Sequence, residues 1–276
     1  MKSLKMYLCL IAVAFVSIMK AGGGNPQDML QAAILNDSAE EIKKAISLGA
    51  DVNGKLSDKQ TPLSAAYSLK QKNALQALLD MGAKPDEALV QKALTARDFS
   101  NALLFLQKGA EIKDRSLGSF MFSCVRFLSP LNQRSSSKSR DALILDVMQQ
   151  LINRGYPVNN IWTLESSGSM MGGVDATPIN FYQNDEAVKL FLKNGANPNF
   201  ITSNCTPLLR VISFSRSSGN NEVLSIVKTL LDAGANINQK GIPSSEYKTP
   251  LTPTALAQKQ NNWPLQKFLT DNGGVV

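Results

Sequence analysis

Thr61-Pro62-Leu63-Ser64-Ala65-Ala66, with Leu78-Leu79-Asp80-Met81-Gly82-Ala83 after it, is the stretch that decides the fold. A threonine hydroxyl caps a free backbone N–H, and proline suits the first helical position, where no N–H is needed. A glycine can enter the left-handed conformation that stops a helix. Between these marks the apolar residues Leu75, Leu78 and Leu79 recur at helical spacing. The 21-residue spacing from Thr61 to Gly82 leaves room for two short helices and a tight turn.

The same marks recur along the chain. Gly-Ala-x-x-Asn stands at Gly49–Asn53, Gly195–Asn199 and Gly234–Asn238. Weaker copies begin at Gly82, Gly109 and Gly155, and Gly273-Gly274 closes the series. The seven glycines lie 33, 27, 46, 40, 39 and 39 residues apart. Thr-Pro recurs at Thr177, Thr206, Thr249 and Thr252, and Thr252 to Gly273 is again 21 residues. Ser38 with Glu41 reads as a capping box at the second helix of the first repeat.

These strings resemble the ankyrin repeat, whose signature is Thr-Pro-Leu-His-x-Ala followed by Leu-Leu-x-x-Gly-Ala. Ser64 stands where that consensus has histidine. Glu87-Ala88-Leu89 and Ser119-Phe120-Met121 stand where the third and fourth repeats lack Thr-Pro. The resemblance implies an all-α ankyrin-repeat solenoid of about seven helix pairs over residues 26–274. Met29–Gly49 is expected to cap one end and Thr252–Gly273 the other. A tetratricopeptide array would need a strict 34-residue period, which the spacings do not show.

Spacings longer than 33 residues locate insertions in repeats four to seven. Ser129–Arg140 and Ser215–Asn221 fall in the turns between paired helices. Asn160–Ala176 and Gln239–Lys248 lengthen the projecting fingers before repeats five and seven. The 27-residue spacing implies a trimmed finger before repeat three. Rigid scaffolds present loops for function. Trp162, Leu164, Met170 and Met171 therefore read either as an interface anchor or as a segment folded back so that Trp162 plugs its own repeat. Phe200 and Tyr247, in neighbouring fingers, either extend that surface or pack finger on finger. Trp263 is expected to cover the end of the core.

Composition narrows the chemistry. The chain has 276 residues and no histidine. Ser-His-Asp and Cys-His catalysis, an imidazole base and histidine-bound metal are thereby excluded. Asp175, Asp185 and Glu186 read as surface acids or acids at a helix start. The expected protein is non-catalytic, with no cofactor and no metal. Cys124 and Cys205 lie two repeats apart, too far for a disulfide, and are expected as free thiols.

Residues 1–23 read as a signal peptide: Lys2 and Lys5, the apolar run Met6–Met19, then Lys20-Ala21-Gly22-Gly23. The 14-residue run is shorter than the roughly 20 residues a spanning helix needs. Its loss takes three of the 29 basic residues and none of the 22 acids, so the charge falls from +7 to +4. No nucleic-acid partner is expected, because Arg134, Lys138 and Arg140 form neither a dense positive surface nor one interleaved with aromatics. The mature chain is expected to be a monomer without stable membrane insertion. Likeness to exported bacterial ankyrin proteins implies a partner protein. It points to a periplasmic inhibitor or immunity protein, or an envelope scaffold, with a secreted effector engaging a host protein as the alternative.

Overall fold

The computed structural model describes residues 24–128, 138–159, 162–163, 175–176, 184–213, 221–244 and 246–276. The putting-together of these residues is all-α apart from one short strand pair. The helices are α1 Pro26–Leu35, α2 Ala39–Ser47, α3 Pro62–Leu69, α4 Lys72–Asp80, α5 Glu87–Thr95, α6 Phe99–Gln107 and α7 Asp114–Leu128. They continue with α8 Lys138–Asn153, α9 Asp185–Lys193, α10 Pro207–Ser213, α11 Asn221–Asp232, α12 Pro253–Lys259 and α13 Trp263–Asp271. Six pairs are complete among the described residues, and α9 is the second helix of repeat five. Thr177-Pro178, where that repeat's first helix was expected to open, lies outside them, as do residues 1–23. No helix among the described residues is long and apolar enough to cross a membrane.

Each helix pair is punctuated as the sequence dictates. Thr61, Thr206 and Thr252 accept hydrogen bonds at Oγ1 from the backbone N–H three residues on, at 3.3, 3.2 and 3.1 Å. All seven repeat glycines sit in the left-handed region, with φ from 87° to 104°. The residue after each glycine donates back across the turn, as Ala83 N does to Leu78 O at 2.9 Å. The turns inside the pairs use the same closure without glycine: Asp37, Lys70, Arg97 and Asn261 hold φ between 53° and 60°. Half of the capping box forms. Ser38 Oγ accepts from Glu41 N, whereas the Glu41 carboxylate accepts from Asn36 Nδ2 at 3.2 Å.

Two expectations are corrected here. The first pair opens at Pro26, not Met29, because Asn25 caps it through Gln27 N. The last pair opens at Thr252 as expected, while Leu251 bridges to Gly241. The first helix of repeat four starts at Asp114, five residues before Ser119. It extends because Leu117, 2% exposed, joins Phe120 and Met121 on the core face.

The described residues fall into two compact units. The first reaches to Lys92 and resumes with Leu104–Glu111; the second holds Ala93–Leu103 and Ile112 onward. In the first, α1 packs on α2 and α3, and α2 and α3 pack on α4. Leu30, Ile42, Leu63 and Leu78 are fully buried there. Gln71 Nε2 ties the second turn to Leu35 O at 2.8 Å. In the second, α8, α9 and α11 stack in series, as do α10 and α12. Phe120, Met148, Phe191 and Leu230 are buried among them. Burying each such side chain contributes about 1.5–3 kcal/mol.

Candidate functional site: the finger edge

The fourth residue after the repeat glycine does structural work along the finger edge. Asn199 Nδ2 donates to Gly234 O at 2.8 Å, and its Oδ1 accepts from Asn236 N at 2.7 Å. One carboxamide thus spans two repeats. Asn159 makes the same pair of bonds to Gly195 O and Asn197 N, at 3.1 and 2.8 Å. Asn238 makes them to Gly273 O and Val275 N, at 3.1 and 2.8 Å. Asn197 and Asn236 accept from the N–H of Asn199 and Asn238, so the clasps link in series. In the first unit, Asn53 clasps Gly82 O and Lys84 N at 3.4 and 2.8 Å. Gln27 fills this place ahead of the first finger, accepting from Asp51 N at 2.9 Å.

The finger before the last repeat is fastened at its root. Gly241 and Leu251 exchange two backbone bonds, and Ile242 N donates to Asn204 O at 2.7 Å. Arg210, on α10, donates to Pro243 O at 3.1 Å. Gly241 is required by close approach: a Cβ there would lie 2.5 Å from Asn204 O.

On this frame the candidate residues divide. Phe200 follows the Asn199 clasp and is half-buried, as is Tyr247 in the fastened finger. The frame brings their two fingers together through Asn204 and Ile242. Ile201, beside Phe200, is 52% exposed and was not singled out in sequence. Trp162 and Thr163 pair antiparallel with Ala176 and Asp175, which closes the base of the inserted finger into a short hairpin. Leu164, Met170 and Met171 lie outside the described residues, as do the inserted segments 129–137 and 214–220. Trp263, expected over the core, is 60% exposed; Leu265 and Leu269 fill that place.

The titratable groups are arranged for structure. Cys124 and Cys205 are free and buried, and desolvation pushes their thiols up to about 12 and about 11. Asp185, at the start of α9, accepts from Ser225 and Thr229 on α11, at 2.5 and 2.6 Å, and pairs with Lys189 at 3.0 Å. Burial works to raise its pKa, but these bonds and the lysine charge outweigh it and hold the carboxyl down. Glu222 is raised, by burial first and then by the charges of Asp185 and Asp141. No group of three metal-ligating side chains occurs among the described residues.

Thr-capped helix pairs, closed by a left-handed glycine and joined by projecting fingers, make up the repeat. This punctuation is the one that the ankyrin resemblance implies. No family model and no curated protein matches the chain. Among solved structures it is similar to the human ASB11 ankyrin repeat domain, at 18% identity and TM-score 0.46, covering 90% of this chain and 98% of that one. It is also similar to an ankyrin repeat domain from Acinetobacter baumannii, at 17% identity and TM-score 0.39, covering 89% and 98%.

Proposed function

We propose that this chain is an exported, non-catalytic module that binds another protein through its finger edge. The observation that carries this reading is the clasp series Asn159–Asn199–Asn238. It fixes the fingers before binding, so little conformational entropy is lost when a partner docks. Repeat scaffolds present such surfaces to other proteins. Phe200, Ile201 and Tyr247 supply apolar contact, and Trp162, Leu164, Met170 and Met171 extend it along the inserted finger. The two thiols, raised well above neutrality, are poor nucleophiles. The partner class fitting this surface is an envelope protein or toxin held inactive in the periplasm, with a host protein the alternative.

Pull-down from envelope extract with the secreted form of the chain tests this reading. One protein should be captured, and Phe200→Ala with Tyr247→Ala should reduce capture at least ten-fold while the helical signal is kept. Equal capture by the variant removes these residues from the interface. Accumulation of the chain in the culture medium, with no periplasmic pool, replaces the inhibitor reading with the effector one.

A further inference from the structure

One clasp asparagine belongs to a reactive pair. Asn-Gly occurs three times in the chain, at Asn53-Gly54, Asn194-Gly195 and Asn272-Gly273. A glycine nitrogen has no neighbouring Cβ to shield it, so it can attack the carboxamide carbon of the residue before it. The clasp residues Asn159, Asn199 and Asn238 are followed instead by Asn160, Phe200 and Gln239. At Asn53 the finger itself demands the glycine. A Cβ on Gly54 would lie 2.9 Å from Asp51 Cβ and 3.1 Å from its Cγ and Oδ2.

The three carboxamides are held unequally. Asn194 is half-buried; its Nδ2 donates to Leu190 O at 2.8 Å and Gln149 Oε1 at 3.2 Å, and its Oδ1 accepts from Gln149 Nε2 at 3.3 Å. Asn53 is exposed, with a long 3.4 Å bond to Gly82 O and one of 2.8 Å from Lys84 N. Asn272 is exposed and donates to Phe268 O at 2.8 Å, a bond that fastens no finger.

We propose that Asn53 is a site of spontaneous deamidation, and that its conversion unfastens the clasp. The Gly54 backbone nitrogen bonds to Asn53 Cγ, the bond from Cγ to Nδ2 breaks, and the nitrogen leaves as ammonia with the proton that Gly54 gave up. Solvent water then opens the cyclic imide at either carbonyl, giving aspartate or isoaspartate. Aspartate still accepts from Lys84 N but has no hydrogen for Gly82 O. Its charge also stands beside Asp51, whose Oδ1 accepts from the N–H of residue 53 at 2.8 Å. Isoaspartate routes the main chain through the former side chain and leaves its carboxylate one carbon short of Lys84 N.

The test ages the full chain in warm, mildly alkaline buffer and maps its peptides by mass spectrometry, with chromatography separating aspartate from isoaspartate. In the folded protein the Asn53 peptide should convert at least about five-fold faster than the Asn194 peptide, the factor expected for one hydrogen bond fewer. In denaturant the two should convert at similar rates. Aged protein converted at Asn53 should exchange the Lys84 amide hydrogen about two- to twelve-fold faster. Protein converted at Asn272 alone should not. Equal conversion of Asn53 and Asn194 in the folded chain overturns the proposal, as does the same preference for Asn53 in denaturant. So does unchanged exchange at Lys84 once Asn53 has converted.

Discussion

Gln27 does for the first finger what Asn53 does for the second. Gln27 Oε1 accepts from Asp51 N at 2.9 Å, and Asn53 Oδ1 accepts from Lys84 N at 2.8 Å. The glutamine comes from α1 itself and also donates to Asp51 O and Gly54 O. Gln27→Ala should cost about 1 kcal/mol, the net worth of a typical hydrogen bond. The loss should be confined to the first unit. Denaturant titration followed by helical signal gives the size, and exchange at residues 50–56 gives the place.

The repeat glycines and Gly241 should respond differently to alanine. At Gly195, φ is 87° and an added Cβ meets nothing within 4 Å. Gly195→Ala therefore costs only the left-handed backbone penalty, about 1–2 kcal/mol. At Gly241 the Cβ would meet Asn204 O at 2.5 Å and Leu209 Cδ1 at 2.8 Å. Gly241→Ala must displace the finger root, breaking the Ile242–Asn204 bond. Exchange at Ile242 should rise in the second variant and stay unchanged in the first.

Asp185 and Glu222 should shift stability with pH in opposite directions. Asp185 has a folded pKa below its unfolded one, so its contribution is complete above the ordinary carboxylate range. It drains away as pH falls through the depressed folded value. Asp185→Ala should cost about 1–2 kcal/mol at neutral pH, for the charged hydrogen bonds to Ser225 and Thr229, and progressively less in acid. Glu222 is raised, so its ionised form works against folding at neutral pH. Glu222→Gln should raise the melting temperature at pH 7, and the gain should vanish where Glu222 is protonated.

Two threonines near the C-terminal end of the described chain should behave as opposites. Thr252 caps α12 and donates to Val275 O at 2.7 Å. Thr254 buries a hydroxyl with no hydrogen-bond partner. Thr252→Ala should cost about 1–2 kcal/mol. Thr254→Val keeps the shape, removes an unsatisfied group and should leave stability unchanged or raised. Thermal melts of the two variants side by side check both signs.

Much of the repeat was legible because its marks are local. A threonine cap or a left-handed glycine acts within a few residues, so Thr61, Thr206, Thr252 and the seven glycines read directly from sequence. The start of α7 was hidden because Asp114–Gly118 carries a single large apolar residue, Leu117, too little to show a period. Trp263 misled for a geometric reason. It lies two residues before Leu265, about 200° round the helix, and so faces away from the core. The clasps were half visible: Asn53, Asn199 and Asn238 stood in the repeated string, but their partners lie 29 to 37 residues away. Nothing local announces such a bond. Ile201 was missed because one apolar residue in a finger has no pattern around it.

The exposure of Trp263 has a spectroscopic consequence. The chain has two tryptophans, Trp162 and Trp263. An indole already 60% open to water emits at long wavelength in the folded protein and changes little on unfolding. With tryptophan-selective excitation and a tryptophan-free binding protein that leaves the Trp263 end untouched, a blue shift or quenching therefore originates at Trp162. Trp263→Phe turns the protein into a single-probe reporter of the inserted finger, without labelling and without altering the core.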